Sequence, residues 1–271
     1  MKIREAVYSD KKPILDFCKT TFSWGDYISD VWDYWNSEGN LTILTMDENP
    51  VAMCHSTILD RDQTWIEGIR VKKNFRRKGF AKQLVKKTEI IAKKNNCKLC
   101  KMLIEATNIN SLKLAKSLNY TKEEQWDFYN LIPLKTNHQK QIKFAIYNDK
   151  LTDYIKKYTS NYVRSWRWIP LSKSIILSLT EQKKILIEEQ KGIINGLAIL
   201  NESDHFAKTL LITLVYGTNE SISKILFYIQ NLSSQKNYKR IQILTKLPKL
   251  PSHDGLEKRF SFFLMKKILI S

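Results

Sequence analysis

The chain of 271 residues has few cysteines and no long run of apolar residues. Its longest apolar-rich segments, at 196–200 and 210–215, are far shorter than the ~20 residues that a membrane-spanning helix needs. The first residues, MKIREA, lack the apolar core and the cleavage site of a secretory signal. These absences predict a cytoplasmic protein with no membrane partner.

The cysteines are too few and too irregularly spaced for a disulfide framework. Cys97 and Cys100 have the CxxC spacing found in zinc and thiol-redox sites, but no second pair and no nearby histidine is present to complete four zinc ligands. We therefore interpret all the cysteines as buried, reduced structural thiols and predict no metal site. They are Cys18, Cys54, Cys97 and Cys100.

Acidic residues are scarce, with 27 of them against 45 lysines and arginines, so the formal net charge is +18. The two signs are segregated, because residues 21–67 carry −8 and residues 72–101 carry +11. Solvated faces and a lysine-rich composition are one explanation. The other is a bipartite site, with one side for an anionic ligand and the other for a cationic one.

Hydrophobic residues make up 43% of the chain, which is ordinary globular composition and enough for two domains of about 130 residues each. Periodicity in the first half predicts the order α α β β β α β α β. Residues 132–140 are mostly polar and are interpreted as a linker, giving domains 1–135 and 140–271. The second half repeats the order approximately, with helical segments at 150–168 and a strand at 174–179. We interpret this as a tandem duplication with a mixed α/β fold.

The segment with the clearest chemistry is a strand that ends at Val71, followed by a basic loop and a helix from about Phe80. Free backbone N–H groups and the positive end of the helix dipole bind phosphate at such a point. Gly79 and the small Ala81 allow close approach to the backbone. The physics predicts an anion site, and a solvated basic turn is the alternative. The cations are Arg76, Arg77, Lys78 and Lys82.

This segment resembles a known family. The pattern Arg76-x-x-Gly79-x-Ala81 after a strand is similar to the acyl-CoA loop of the GNAT acetyltransferase superfamily. A second match begins at Asn108-x-x-Ser111 and resembles the helix and turn that follow in that family. The two motifs stand in register, with the expected strands between them.

The resemblance covers about residues 1–135 and implies the GNAT fold, a mixed and mostly antiparallel sheet flanked by helices. It implies acetyl-CoA as acyl donor, its pantetheine arm on the backbone of the strand and its pyrophosphate in the basic loop. The implied donor-binding residues are Ile69, Arg70, Val71, Arg76, Arg77, Lys78, Gly79, Phe80, Ala81, Lys82, Asn108 and Ser111.

Two positions depart from the family pattern. Ala115 stands where many members have a tyrosine that protonates the leaving thiolate, and Asn119 replaces a glycine. Water or another residue could supply that proton, or none is needed because a CoA thiol is a good leaving group. A catalytically silent protein is the further alternative.

A narrower resemblance lies in segments 22–28 and 65–71, which are similar to the subgroup that contains vertebrate histidine N-acetyltransferase and prokaryotic relatives. In GNAT folds the first helices and their loop cover the acceptor. The resemblance thus implies that Trp24, Asp26 and Tyr27 contact the acceptor, which an acidic and aromatic lid suggests is an amine. Helix packing is the alternative for the tryptophans of this region.

Acetyl transfer to an amine requires a neutral amine, so a base or a water wire is useful. Glu67 lies on the strand beside which the thioester should sit, and we predict it to be the general base, directly or through water. A salt bridge to Arg70 or Lys101 is the structural alternative. His55 on the adjacent strand could serve instead, although a lone histidine on a strand is often a packed residue.

The second half lacks the donor loop, so we predict a degenerate GNAT-like domain that binds no CoA. The favoured function is an acetyl-CoA-dependent N-acetyltransferase acting on a small amine or amino acid. A protein N-terminal or lysine acetyltransferase and a silent acyl-CoA-binding module remain alternatives. Nucleic acid is not our expected partner, because the donor loop accounts for part of the basic charge. Both a monomer and a homodimer fit the sequence.

Overall fold

A computed structural model describes residues 1–19, 21, 25–59, 62–135 and 142–269. The chain forms two compact units. The first consists of Met1–Glu124 together with Phe263–Ser271, and the second of Gln125–Phe262. No helix in the part of the chain that the structure describes is long and apolar enough to cross a membrane.

The first unit is a sheet with helices on both faces, and its strands β1 to β5 are neighbours in chain order. All pairs among these strands are antiparallel except β4 with β5, which is parallel. Its elements are β1 (Lys2–Glu5), α1 (Lys11–Cys18), α2 (Ile28–Glu38), β2 (Leu41–Met46), β3 (Asn49–Leu59), β4 (Gln63–Val71), α3 (Phe80–Lys94), β5 (Leu99–Glu105), α4 (Ile109–Ser117) and the beginning of β6 (Thr121–Leu131).

Two hydrophobic clusters lie in this unit. One joins α1 and α2 to β2 and β3, where α2 buries Ile28, Val31, Trp32 and Trp35 at helical spacing. The other contains α3 and α4 together with apolar residues of β2 to β5 and of the segment 263–269. Successive residues of β3 therefore face α1 and α2 or α3 in alternation.

In the second unit, the strands β6, β13, β12, β11, β10 and β7 are neighbours in that order. Again the pairs are antiparallel apart from one, β12 with β13. Its further elements are β7 (Ile142–Phe144), α5 (Asp149–Tyr158), β8 (Asn161–Arg164), β9 (Arg167–Pro170), α6 (Lys173–Glu181), β10 (Ile185–Gln190), β11 (Ile193–Glu202), β12 (Thr209–Gly217), α7 (Asn219–Gln235), β13 (Arg240–Thr245) and the first part of β14 (Leu256–Ile268). From Phe263 onward, β14 belongs to the first unit.

Two predictions for this half were wrong. The helix predicted over 150–168 ends at Tyr158, and a two-stranded hairpin follows because Ser165 and Trp166 adopt left-handed φ angles of 48° and 63° that turn the chain back. The strand predicted at 174–179 lies in α6, since the Ser172 side chain accepts from the Ile175 N–H and caps a helix there. Of the predicted linker, residues 136–140 lie outside the described residues.

Candidate active site

Strands β4 and β5 pair only along part of their length. Their ladder joins Gln63–Ile66 to residues 99–102, whereas β4 continues to Val71 and β5 to Glu105. Beyond Ile66 the β5-facing edge of β4 has no strand partner in the part of the chain that the structure describes. Such an edge presents backbone N–H and C=O groups that an extended ligand with amide groups can pair with.

A bulge bends β4 at the same point. The register with β3 shifts between Met53 and His55, so that Met53 faces Arg70 while His55 faces Glu67. Gly68 in this bulge has a φ of +64°, in the left-handed region that favours glycine. The bulge re-aims the backbone of β4 where its pairing with β5 ends.

The loop after β4 leads into α3 through a left-handed residue. Gly79 is the N-cap of α3 with a φ of +80°, and no side chain caps the first turn. The N–H groups at this helix end therefore remain available to an anion. Arg76, Arg77 and Lys78 are exposed, and Arg76 Nε donates to the Val71 carbonyl at 3.1 Å.

The remaining predicted donor residues occupy the same region. Phe80 is buried and stacks on Phe75, so it offers its backbone rather than its ring, while Lys82 is exposed. The Asn108 side chain caps α4 by accepting from the Ser111 N–H at 3.1 Å. That bond uses the amide oxygen and leaves the amide nitrogen of Asn108 to donate elsewhere. The side chain of Asn108 therefore caps α4, a role that the motif did not indicate.

Ala115 is fully buried in the hydrophobic cluster of α3 and α4. At the position where many GNAT members have a tyrosine, this chain therefore places a methyl group in a packed core.

Glu67 faces α1 and α2, and both of its carboxylate oxygens have ring partners. Its Oε1 lies 3.0 Å from Nδ1 of His55, and its Oε2 accepts from Nε1 of Trp65 at 3.1 Å. Lys101, one of the alternative partners, forms an ion pair with Glu123 at 2.8 Å. Each carboxylate oxygen can accept a second hydrogen bond, so these contacts leave Glu67 able to receive a proton.

His55 is completely buried beside Glu67. Its Nε2 donates to the carbonyl of Gly39 at 3.1 Å and lies 3.4 Å from Oε2 of Glu38. The ring stacks on the indole of Trp35, with 4.7 Å between centroids and 6° between planes. The sequence indicates His55 only as an alternative base. Nothing in it indicates that Glu38 and Trp35 contact His55 or that Trp65 contacts Glu67.

Glu38, His55 and Glu67 each offer one ligand atom within 4.8 Å of the others. The two ring nitrogens, however, point to different carboxylates, and one ion could take only one of them. The hydrogen-bonded arrangement thus fits the geometry better than a metal site does. All the cysteines are buried, and burial raises the pKa of Cys18, Cys54 and Cys100 to about 12.

The predicted acceptor residues form an internal ion pair. Both carboxylate oxygens of Asp26 accept from Arg70, at 2.7 Å from Nε and 3.0 Å from Nη2, and the side chains are only 3% and 11% exposed. Tyr27 lies with its ring 5.2 Å from the Arg70 guanidinium and meets Trp35 edge-on. Asp26 is thus neutralised by Arg70, which the acidic character of this segment did not indicate. Trp24 lies outside the described residues.

Comparisons with known proteins agree with this geometry. Residues 8–120 match the model of the acetyltransferase (GNAT) family. A GCN5-related N-acetyltransferase from Sphaerobacter thermophilus superposes with a TM-score of 0.66 at 14% identity, covering 99% of this chain and 95% of the other. A tandem GNAT protein from the clavulanic acid biosynthesis pathway superposes with a TM-score of 0.58 at 9% identity, covering 100% and 99%.

No curated protein is significantly similar to this chain in sequence. The prediction of a GNAT fold is confirmed, whereas similarity to the histidine N-acetyltransferase subgroup is not. The chain has the GNAT fold, and its segment 8–120 matches the model of the acetyltransferase (GNAT) family.

Proposed function

We propose that this chain is an acetyl-CoA-dependent N-acetyltransferase that modifies a small amine or amino acid. The observation that carries the proposal has two parts: among the described residues, the bulged edge of β4 beyond Ile66 has no strand partner, and the basic helix start at Gly79 has no side-chain cap. An extended pantetheine arm requires the first feature and a pyrophosphate requires the second. The two are consecutive in the chain.

On the donor side, the backbone of Ile69 to Val71 would hold the pantetheine amides. The N–H groups from Gly79 onward, with Arg77, Lys78 and Lys82, would hold the pyrophosphate. Asn108 and Ser111 at the start of α4 would contact CoA from the other side. These assignments follow the family resemblance and are supported by the exposure of the loop cations.

On the acceptor side, Glu67 would take a proton from the ammonium form of the acceptor, directly or through a water molecule. The neutral amine nitrogen then attacks the thioester carbon and the N–C bond forms. The nitrogen loses a second proton to solvent water, and the C–S bond breaks to release the CoA thiolate. Backbone N–H groups near Val71 would polarise the carbonyl. Since Ala115 is buried and apolar, water or the bulk solvent would protonate the thiolate.

A small acceptor is favoured over a protein because Glu67 and its neighbours are largely covered, with the Glu67 side chain 12% exposed. Tyr27 would line the acceptor side, with Asp26 and Arg70 fixing the lid through their ion pair. Because of the resemblance to the histidine N-acetyltransferase subgroup, we include free histidine among the candidate acceptors.

We propose a catalytic domain over 1–135 and, for the second half of the sequence, a degenerate GNAT-like domain over 140–271. The start of α7 has its own cap, since Thr218 Oγ1 accepts from the Ser221 N–H. Glu188 is buried under this first turn and binds Ser221 and Lys224. An acid and a closed cap oppose phosphate binding, so calorimetric titration should give one acetyl-CoA per chain. A stoichiometry of two would contradict this assignment.

The function is tested by incubating purified protein and acetyl-CoA with amino acids including histidine, with polyamines and with short peptides, followed by mass spectrometry. Mass detection avoids the thiol background of the protein's own cysteines. Acetylated product with a free amine or amino acid supports the proposal. Product with peptides alone would favour the protein-modifying alternative, and bound acetyl-CoA without any product would favour the silent module. Parallel reactions without protein measure spontaneous acetylation.

A further inference from the structure

The side chain of His55 has hydrogen-bond acceptors on both of its ring nitrogens. On one side, the Gly39 carbonyl can only accept, so Nε2 must carry a hydrogen. On the other, Nδ1 and Glu67 Oε1 lie 3.0 Å apart. Two lone pairs would repel at that distance, so a proton must lie between these two atoms.

We propose that this proton resides on Nδ1, that His55 is therefore an imidazolium held between Glu67 and Glu38, and that it acts as a positioning residue for the Glu67 carboxylate. The imidazole nitrogen is ordinarily the stronger base of the two, with pKa values of about 6.5 and about 4.3 for the free side chains. The catalytic part of this inference rests on the proposed function. The protonation of the ring does not.

Burial alone disfavours a charged ring, and the two carboxylates beside His55 offset that penalty. The His55 side chain has no exposed surface, so water cannot stabilise its charge, and a buried cation needs anionic partners. Glu67 supplies one at 3.0 Å, and Glu38 supplies a second at 3.4 Å from Nε2. Thr57 donates to the other oxygen of Glu38 at 3.0 Å and orients it.

The ring is also held against rotation. Trp35 stacks on it in parallel, and Trp65 donates to the second oxygen of Glu67, which fixes the plane of the carboxylate. Among the described residues on this side of the sheet, further titratable groups are Tyr27, whose ring meets Trp35, and the buried thiol of Cys18. The Asp26–Arg70 and Lys11–Asp33 ion pairs are each internally compensated.

In the proposed reaction, Glu67 gains the proton that the acceptor ammonium loses, and becomes a neutral carboxylic acid beside the imidazolium. The positive charge thus passes from the acceptor to the side chains, where the Glu38 carboxylate balances it. This arrangement predicts opposite effects when the cation or the second anion is removed. A role limited to packing would not produce that pattern.

The first test is ¹⁵N NMR of the ring nitrogens in the full-length protein without substrates, at about pH 8, where a free imidazole of ordinary pKa about 6.5 is neutral. The signals of His55 are assigned by their loss in His55→Asn. Two protonated nitrogens are expected. A bare Nδ1 would overturn the proposal, whether or not the protein transfers acetyl groups.

The second test is the pH–rate profile of acetyl transfer. His55→Asn removes the cation and should move the acid limb to higher pH by about one to three units. Glu38→Gln removes the anion beside Nε2 of His55 and should move the acid limb to lower pH. Glu123→Gln is the matched control, because both glutamates are 24% exposed, and it should move nothing. Shifts in the same direction for His55→Asn and Glu38→Gln would contradict the proposal.

Discussion

The indole of Trp35 covers Gly68 so closely that a Cβ atom on Gly68 would lie 2.4 Å from Cζ3 of Trp35. The same indole also stacks in parallel on the ring of His55. One side chain of α2 therefore touches both the bulge of β4 and the ring beside Glu67. The shape of the donor edge and the placement of the base depend on the same tryptophan.

Gly68→Ala should lower the free energy of unfolding more than the same substitution at another glycine with positive φ. The added methyl meets Trp35, which should cost about 1–3 kcal/mol for overpacking, beyond about 1–2 kcal/mol for the left-handed backbone. Gly192→Ala is the control, since Gly192 has a φ of +77° and no atom near the added Cβ. Chemical denaturation of both variants measures the difference. Equal losses of unfolding free energy would show that the Trp35 contact contributes nothing.

Arg77→Gln should weaken acetyl-CoA binding, because it removes an exposed cation from the turn before α3. Loss of a charge-assisted contact of about 1.5–3 kcal/mol corresponds to at least a tenfold rise in Kd at low salt. The effect should shrink as salt rises, since exposed charges are screened. Lys94→Gln, in the last turn of the same helix, serves as the control for net charge. Calorimetry at two salt concentrations measures both variants, and similar losses would assign the effect to overall charge.

Glu67→Gln should lower the acetylation rate at neutral pH by about 10²- to 10⁴-fold, because a glutamine cannot accept the acceptor's proton. Its amide still fills the space between His55 and Trp65, so acetyl-CoA affinity should change little. Steady-state rates and direct binding measurements separate the two effects. If the variant keeps the wild-type pH–rate profile, Glu67 has no part in proton transfer.

The buried Glu188 should make the second unit sensitive to acid. Burial alone would raise its pKa, but hydrogen bonds from Gln190, Asn195, Lys224 and Ser221 outweigh burial and hold the pKa below its usual value. The charged form is thus favoured by folding, and its contribution is present above the ordinary glutamate pKa of about 4.3 and is lost as pH falls through the folded value. Denaturation of the wild type and Glu188→Gln at several pH values should show their difference narrowing in acid. A difference independent of pH would contradict this account.

The elements that position the donor were predictable because their signals are local. Gly39 ends α2 with a φ of +87°, and a glycine after an amphipathic stretch is a local signal for a helix end. The strand, basic loop and helix around Gly79 likewise follow from residue types in one short segment. In α6, by contrast, a short run of isoleucines and leucines suits a strand as well as a helix. The signal for a helix there is the cap by Ser172, which an interpretation based on hydrophobic periodicity does not include.

The polar contacts of the site were less predictable, because they join distant residues. His55 and Glu67 face each other in an antiparallel pair, so their proximity could have been inferred from the hairpin register, but the bulge shifts that register nearby. Asp26 and Arg70 are 44 positions apart, and nothing local in either segment indicates that they pair. As a result, an acidic segment that suggested a cation site contains an acid already neutralised by an arginine.

The assignment of Phe263–Ser271 to the first unit has a consequence for how the protein is made. Met265 and Leu269 belong to the hydrophobic cluster of α3 and α4, and Lys267 pairs with Glu89 of α3 at 2.7 Å. A ribosome adding about 5–20 residues per second would need roughly 7–30 s to pass the intervening ~140 residues. Throughout that interval the nascent first unit lacks one of its own strands. Its maturation must therefore wait until the second unit has already left the exit tunnel, reversing the usual order in which the earlier domain finishes first.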